Sequence, residues 1–269
     1  WHQINFMKFS FISILLLLPI LAIAQSSDQN WVKTKTYKEP TTNALTSPTP
    51  VQAVTQVSYF DGLGRGTQQV AHAQSNTGKD IVTHIEYDAF GRPAKEFLPY
   101  ANQNASLNYN ASAGTDVLGF YNTTGYENTS NPFSQKQFEA SPLNRVIKQA
   151  APGDAWSMGS GKEIKFEYST NEGSGSEAVK LYTANAVWDN SLGLFDIDLV
   201  QNGNYGANQL YVTTTKDENW KSTDLKNNTT EEFKDKGGKV VLKRTYNNGD
   251  PHETYYVYDQ FGNLTYVIP

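Results

Sequence analysis

The chain has 269 residues, with 22 Lys and Arg against 27 Asp and Glu, and a formal charge of −5. Its basic residues are scattered (Lys33, Lys35 and Lys38 are separated by Thr and Tyr), which excludes the concentrated basic face that nucleic acid requires. The absence of Cys excludes thiolate chemistry and disulfide stapling, so the fold stands on burial alone or is completed by further chain. Apolar content is a modest 38%, yet 13% is aromatic, including 16 Tyr, a balance suited to sheets with one wet face.

In chain order, residues 1–6 read as an upstream extension ahead of a natural start at Met7. Residues 7–24 read as a signal peptide. Met7-Lys8 opens it, Phe9 to Ile23 is its apolar run, and Ala22-Ile23-Ala24 presents small residues for cleavage before Gln25. The expectation is an exported protein (periplasmic, cell-surface or secreted) with no transmembrane span after signal cleavage. Residues 25–50 divide into a strand, Asn30 to Tyr37, and a Thr-, Ser- and Pro-rich linker, Glu39 to Pro50. Residues 51–269 form one β-rich domain that reads as incomplete at its C-terminus.

Within that domain a short pattern returns: an aromatic residue, Asp, two variable positions, Gly, and Arg or a substitute. It occurs as Tyr59-Phe60-Asp61-Gly62-Leu63-Gly64-Arg65 and Tyr87-Asp88-Ala89-Phe90-Gly91-Arg92. Later copies are Phe233-Lys234-Asp235-Lys236-Gly237-Gly238-Lys239 and Tyr258-Asp259-Gln260-Phe261-Gly262-Asn263. Asp217-Glu218-Asn219-Trp220-Lys221 is a degraded copy, and Phe138-Glu139 with Asn144-Arg145 is a further relative. Recurrence at this spacing marks a repeat architecture in which neighbours bury each other's apolar faces. Each copy predicts a β-hairpin. Asp opens a type I turn by accepting nearby backbone N–H groups, and Gly three residues on supplies the left-handed residue of the bulge that follows. The flanks alternate as strands do: Ile81, Thr83, Ile85 and Tyr87 before one turn, and Val240, Leu242, Arg244 and Tyr246 after another. No stretch after residue 24 has a sustained helical period. Asn102 to Asn131 reads as an irregular insertion, and Ser169 to Glu177 as a hairpin tip or loop after a strand at Lys162 to Tyr168. The fold class is therefore all-β, built of β-hairpin repeats forming a curved sheet.

Chemistry is poorly represented. The repeated Asp residues offer one carboxylate per copy, whereas a calcium loop gathers several within about 12 residues, so turn capping accounts for them. His72, His84 and His252 stand at no metal-ligand spacing. Gly62-Leu63-Gly64-Arg65-Gly66 is flanked by strands and opens no helix, unlike a phosphate loop. Asp196 and Asp198 share one face of a strand, as a glycosidase pair could, but adjacent surface acids are the plainer account. No catalytic, cofactor-binding or metal residue is assigned, and the chain reads as a non-enzyme. The residues singled out are structural: Asp61, Gly64, Arg65, Asp88, Gly91, Arg92, Asp217, Asp235, Gly238, Asp259 and Gly262.

These copies resemble the YD repeats of RHS (rearrangement-hotspot) proteins, whose signature is Tyr-Asp followed by Gly-Arg at this offset. The longer strings Glu86 to Pro93, Phe97-Leu98-Pro99-Tyr100, Phe138 to Val146, Ala151-Pro152-Gly153 with Trp156, Phe166-Glu167-Tyr168 and Tyr211-Val212-Thr213 are similar to the uncharacterised domain that precedes RHS repeats in large exported bacterial proteins. The resemblance implies hairpins spiralling into a hollow shell that encloses a C-terminal effector, with this chain supplying its first part. It implies as partners the downstream repeats and C-terminal domain of the same polypeptide. The chain stops before any self-cleavage motif of that family, so no such residue carries over. The reading of a different class is a cell-surface glycan-binding or adhesion module, in which Trp156, Trp188 and Trp220 stack on sugars.

Overall fold

The computed structural model describes residues 28–269; the expected upstream extension and signal peptide lie outside the described residues. The described chain is all-β, in antiparallel sheets connected largely by hairpins, and it divides into two compact units.

The first unit comprises residues up to His84 together with Pro99–Gly114. Its five-stranded sheet runs β1 (Asn30–Tyr37), β2 (Ala53–Phe60), β3 (Gly66–Ala71), β4 (Ile81–His84) and β6 (Tyr100–Ala101), all antiparallel. β2 alternates as its sequence requires: Ala53, Thr55, Val57 and Tyr59 are buried, and Tyr59 ends on the Leu107 carbonyl at 2.6 Å. β1 pairs with β2 along its whole length, so Glu39 to Pro50 is the connection of a long hairpin. Lys35 and Lys38 hold that connection through ammonium bonds to the carbonyls of Leu45, Thr46 and Pro50. Asp80 is buried and fully used. One carboxylate oxygen accepts from the Ala73 N–H and meets His72 Nδ1 at 3.0 Å; the other accepts the Leu107 N–H at 2.7 Å.

The second unit comprises Ile85–Leu98 and Thr115–Pro269. Its nine-stranded antiparallel sheet has the order β16-β15-β14-β13-β12-β9-β8-β7-β5. The strands are β5 (Lys95–Phe97), β7 (Phe133–Phe138), β8 (Val146–Ala150), β9 (Ile164–Thr170), β12 (Tyr211–Lys216), β13 (Thr229–Lys234), β14 (Val240–Asn247), β15 (Asp250–Tyr258) and β16 (Leu264–Ile268). The chain leaves this sheet between β5 and β7, and again between β9 and β12, where it forms a two-stranded arm, β10 (Lys180–Asp189) and β11 (Leu194–Asn204). The arm covers one end of the sheet. Val179, Leu210, Val212, Phe233, Val241, Leu242 and Tyr255 form the buried cluster beneath it, with Tyr182, Tyr205 and Ile268 packed at its margin. Full burial of a side chain such as Leu242 is worth about 1.5–3 kcal/mol.

Three segments differ from the sequence expectation. A helix, α1 (Ala113–Tyr121), lies in the stretch read as an irregular insertion. Asn110 turns the chain into it, its Oδ1 accepting the Ser112 N–H and its carbonyl the Ala113 N–H at 3.2 Å, and the helix buries only Ala113 and Val117, one turn apart, too little to give a visible period. The strand expected from Ile81 to Tyr87 ends at His84; Ile85 begins the second unit and makes a single bridge to Glu96 of that same unit. Ser169 to Glu177 finishes β9 at Thr170 and then runs as a loop, the second of its two expected forms, at the root of the arm and not at a hairpin tip. Asn171 organises it, its Oδ1 accepting the N–H groups of Gln209 and Leu210 while its Nδ2 donates to Glu172 and Gly206 carbonyls. Gly173 is required there, because a Cβ would stand 2.6 Å from the Ala207 nitrogen.

Candidate functional site: the turn series and the sheet ends

Four of the predicted turns close in one way. The Asp N–H donates to the carbonyl four residues on, and the Gly N–H returns to the Asp carbonyl, at 2.9–3.0 Å for Asp61, Asp88, Asp235 and Asp259. Gly64, Gly91, Gly238 and Gly262 have φ of +77°, +77°, +82° and +89°. This is a type I turn followed by a left-handed residue, as Asp and Gly at that offset dictate. Oδ1 of each Asp also accepts the N–H four residues later, from Arg65, Arg92, Lys239 or Asn263. In the first two turns Oδ2 is held by the arginine itself, at 2.8 Å from Nε and 2.7–2.8 Å from Nη2. The Arg65 and Arg92 backbone N–H groups foremost, and their guanidinium groups further, hold Asp61 and Asp88 below the usual carboxylate range. At Asp259 burial is the largest influence and pushes up, but the Asn263 side chain and the backbone N–H groups around the turn together outweigh it.

The Glu139–Arg145 turn reaches the same closure by other means. Its loop is two residues longer, and the acid is longer by one methylene. Glu139 N–H donates to the Arg145 carbonyl, and its carboxylate takes Arg145 Nε at 3.0 Å and Nη2 at 2.8 Å. Arg145 and then Ser141 lower the Glu139 pKa to about 2. Asn144 takes the left-handed position at φ +53°. Asp217 departs from the others. Its N–H is answered by the Asn228 carbonyl, and a short helical turn at Ser222–Asp224 fills the intervening loop.

The turns are also coupled to one another, which the linear pattern did not reveal. The Arg92 guanidinium stacks 4.3 Å from the Phe138 ring centroid and donates to Asn144 Oδ1 at 2.7 Å. Arg145 stacks 4.4 Å from Tyr168, and Lys239 lies 5.0 Å from Tyr258. The basic residue of one turn thus rests on the aromatic residue of a later strand. Past these turns the partner strand carries an extra residue at a matching position: Thr67, Ile147, Val241 and Thr265 fall outside the pairing register.

Charge is buried at one place beneath the arm. Arg244 is 2% exposed at its side chain and meets Glu253 at 2.6 Å, Glu177 at 2.8 Å and Glu231 at 3.5 Å. Lys226 joins at 2.7 Å from Glu177, and Tyr246 donates to Glu231 at 2.8 Å. Burial disfavours each charge, but the partners prevail: Glu177 is lowered, and Arg244 and Lys226 are raised. The network ties Glu177 at the arm's root to three strands of the sheet. A second tie lies in the last turn, where the Gln260 carboxamide accepts from the Ala186 N–H at 2.9 Å and donates to its carbonyl at 2.6 Å.

The three tryptophans raised for sugar stacking lie in different settings. Trp220 donates to the Leu225 carbonyl and lies under Lys216, 4.2 Å from the ring centroid. Trp188 meets Phe195 edge-on on the arm, and Phe195 in turn meets Phe261. Trp156, 38% exposed, borders a cleft of about 460 Å³ lined by Pro152, Lys162, Gln149, Ser134 and Glu218 among others. Asp196 and Asp198 sit exposed on β11 opposite Val187 and Asn185. Among the described residues no group of His, Asp and Glu is arranged to hold a metal ion, and no helix is long and apolar enough to cross a membrane.

Fold and turns together define an antiparallel hairpin protein whose repeated acid–glycine–base signature shapes the chain. The chain belongs to the family of the domain of unknown function DUF6443, whose model matches residues 33–170, just over half of its length, from within β1 to the last residue of β9. No curated protein matches it.

Proposed function

We propose that this chain is a non-catalytic structural segment of an exported RHS/YD-repeat protein, whose full-length form encapsulates or delivers a C-terminal effector. The observation that carries the reading is the coupling between turns. In three turns, those of Asp88, Glu139 and Asp235, the acid closes the turn, Arg or Lys is held by that closure or follows it, and the same cation covers an aromatic residue of a later strand. Such a signature specifies how one hairpin lies beside another, which is what a wall of stacked hairpins needs. Downstream repeats of the same polypeptide are the partners this reading requires, and β16, at the edge of the nine-stranded sheet, is where they would pair.

The test is electron cryomicroscopy of the natural full-length polypeptide recovered from the periplasm, cell surface or medium. The expected image shows the hairpins of residues 133–269 continued by further hairpins into a hollow wall. An independently terminated particle, with no hairpin laid against β16, would overturn the proposal.

A further inference from the structure

Two connections of the nine-stranded sheet that are much longer than a hairpin turn emerge at the same end of it. One is residues 151–163 between β8 and β9; the other is residues 217–228 between β12 and β13. β9 and β12 pair with Lys165 opposite Lys216, so the start of one strand adjoins the end of the other. Each connection replaces a five-residue turn with a longer loop, and in repeat folds such insertions collect on a binding face. Between them lies the Trp156 cleft, of a size typical for small-molecule sites.

The lining has a definite chemical character. Its apolar part is Ala150, Ala151, Pro152, Ile164 and the face of Trp156. Around it stand groups of every hydrogen-bonding kind: the Lys162 ammonium donates, the Glu218 carboxylate accepts, and the Gln149 amide and Ser134 hydroxyl do both. Lys162 Nζ lies over the Trp156 ring, 4.6 Å from its centroid, so this donor stands on one face of the indole and a stacking ligand takes the other. A phosphate would meet Glu218 unfavourably, and a wholly apolar ligand would leave the polar groups without partners. A ring with one apolar C–H face and a periphery of neutral hydroxyls, each both donor and acceptor, answers all of them.

We infer that the Trp156 cleft binds a saccharide, with Trp156 stacking on a sugar ring while Lys162, Glu218 and Gln149 engage its hydroxyls. This goes beyond the structural role and does not depend on it: a wall segment with or without downstream hairpins would present the same cleft.

The test is calorimetric and fluorescence titration of the full chain with cellohexaose, chitohexaose and xylohexaose. The expected result is binding of at least one, with a Kd of about 1 mM or tighter. Trp156→Ala should weaken it about tenfold or more, and Glu218→Gln by several-fold, whereas Trp188→Ala on the arm leaves it unchanged. If Trp156→Ala fails to fold, Lys162→Ala and Glu218→Gln, both at the cleft's edge, carry the comparison. Binding to none of the three probes, or binding unaffected by these cleft substitutions, would overturn the inference. Such a failure leaves the hairpin wall to be judged by its own image.

Discussion

Gly62 and Gly64 sit two residues apart in one turn, and alanine at each should change stability with opposite sign. A Cβ at either position meets no atom within 4 Å, so packing contributes nothing to the comparison. Backbone conformation decides it. Gly64 has φ +77°, where an L-residue is strained by about 1–2 kcal/mol, while Gly62 is not among the positive-φ residues. Either alanine restricts the unfolded chain, a gain of about 0.4–1 kcal/mol. Gly62→Ala should therefore stabilise by that gain, and Gly64→Ala should destabilise by about 1 kcal/mol once the strain is set against it. The difference between them is the left-handed cost itself. Gly64→Asn should fall near wild type, because Asn tolerates this region, and Gly64→Val should be worst. Urea unfolding followed by circular dichroism resolves differences of this size, and a melting-temperature shift of about 2–4 °C per kcal/mol offers a second readout. Gly64→Ala as stable as Gly62→Ala would refute the turn geometry.

Arg244→Leu should destabilise by about 3–5 kcal/mol in the same assay, because three glutamates are left around an uncharged side chain; an effect below about 1 kcal/mol would mean that the network is not formed. Gln260→Ala should release the arm without melting the sheet, seen as faster amide exchange across Lys180–Asp189 and Leu194–Asn204 with protection in β12–β14 retained; unchanged arm exchange would contradict the docking role. Glu139, with an ordinary pKa of 4.5 in the unfolded chain and about 2 in the folded one, contributes stability that is complete above about pH 4.5 and lost as pH falls through 2. Stability measured down that range should therefore decline more steeply in the wild type than in Glu139→Gln, and parallel curves would argue against the Arg145 pairing.

The hairpins were legible in the sequence because their cause is local. Asp and Gly at a fixed offset satisfy the backbone of one turn, whatever lies elsewhere, and strands at Asn30 to Tyr37 and around Asp259 follow from simple alternation. The same logic could have found two more turns. Asn248-Gly249, with φ +51° and +88°, joins β14 to β15, and Asp189 with Gly193 closes the arm's tip. What was not legible depends on distant partners. Alternation set Arg244 beside Val240 and Leu242 on an inner face, but only Glu177, 67 residues earlier, and Glu231 and Glu253 make that burial tolerable. Asn171 and Gln260 look like ordinary loop polars until the chain segments they bind are brought beside them. Trp156 and Glu218 are 62 residues apart and line one cleft because β9 and β12 pair.

Amide hydrogen exchange at the turns tests most directly the claim that a carboxylate-closed hairpin is the recurring element of this chain. The N–H groups of Arg65, Arg92, Lys239 and Asn263, each bonded to the turn's own carboxylate, should all exchange slowly. Asp→Ala at one turn should release the amide of that turn and leave the other three protected. Rapid exchange of these four amides in the unaltered protein, or Asp→Ala without effect on its own turn, would contradict the account.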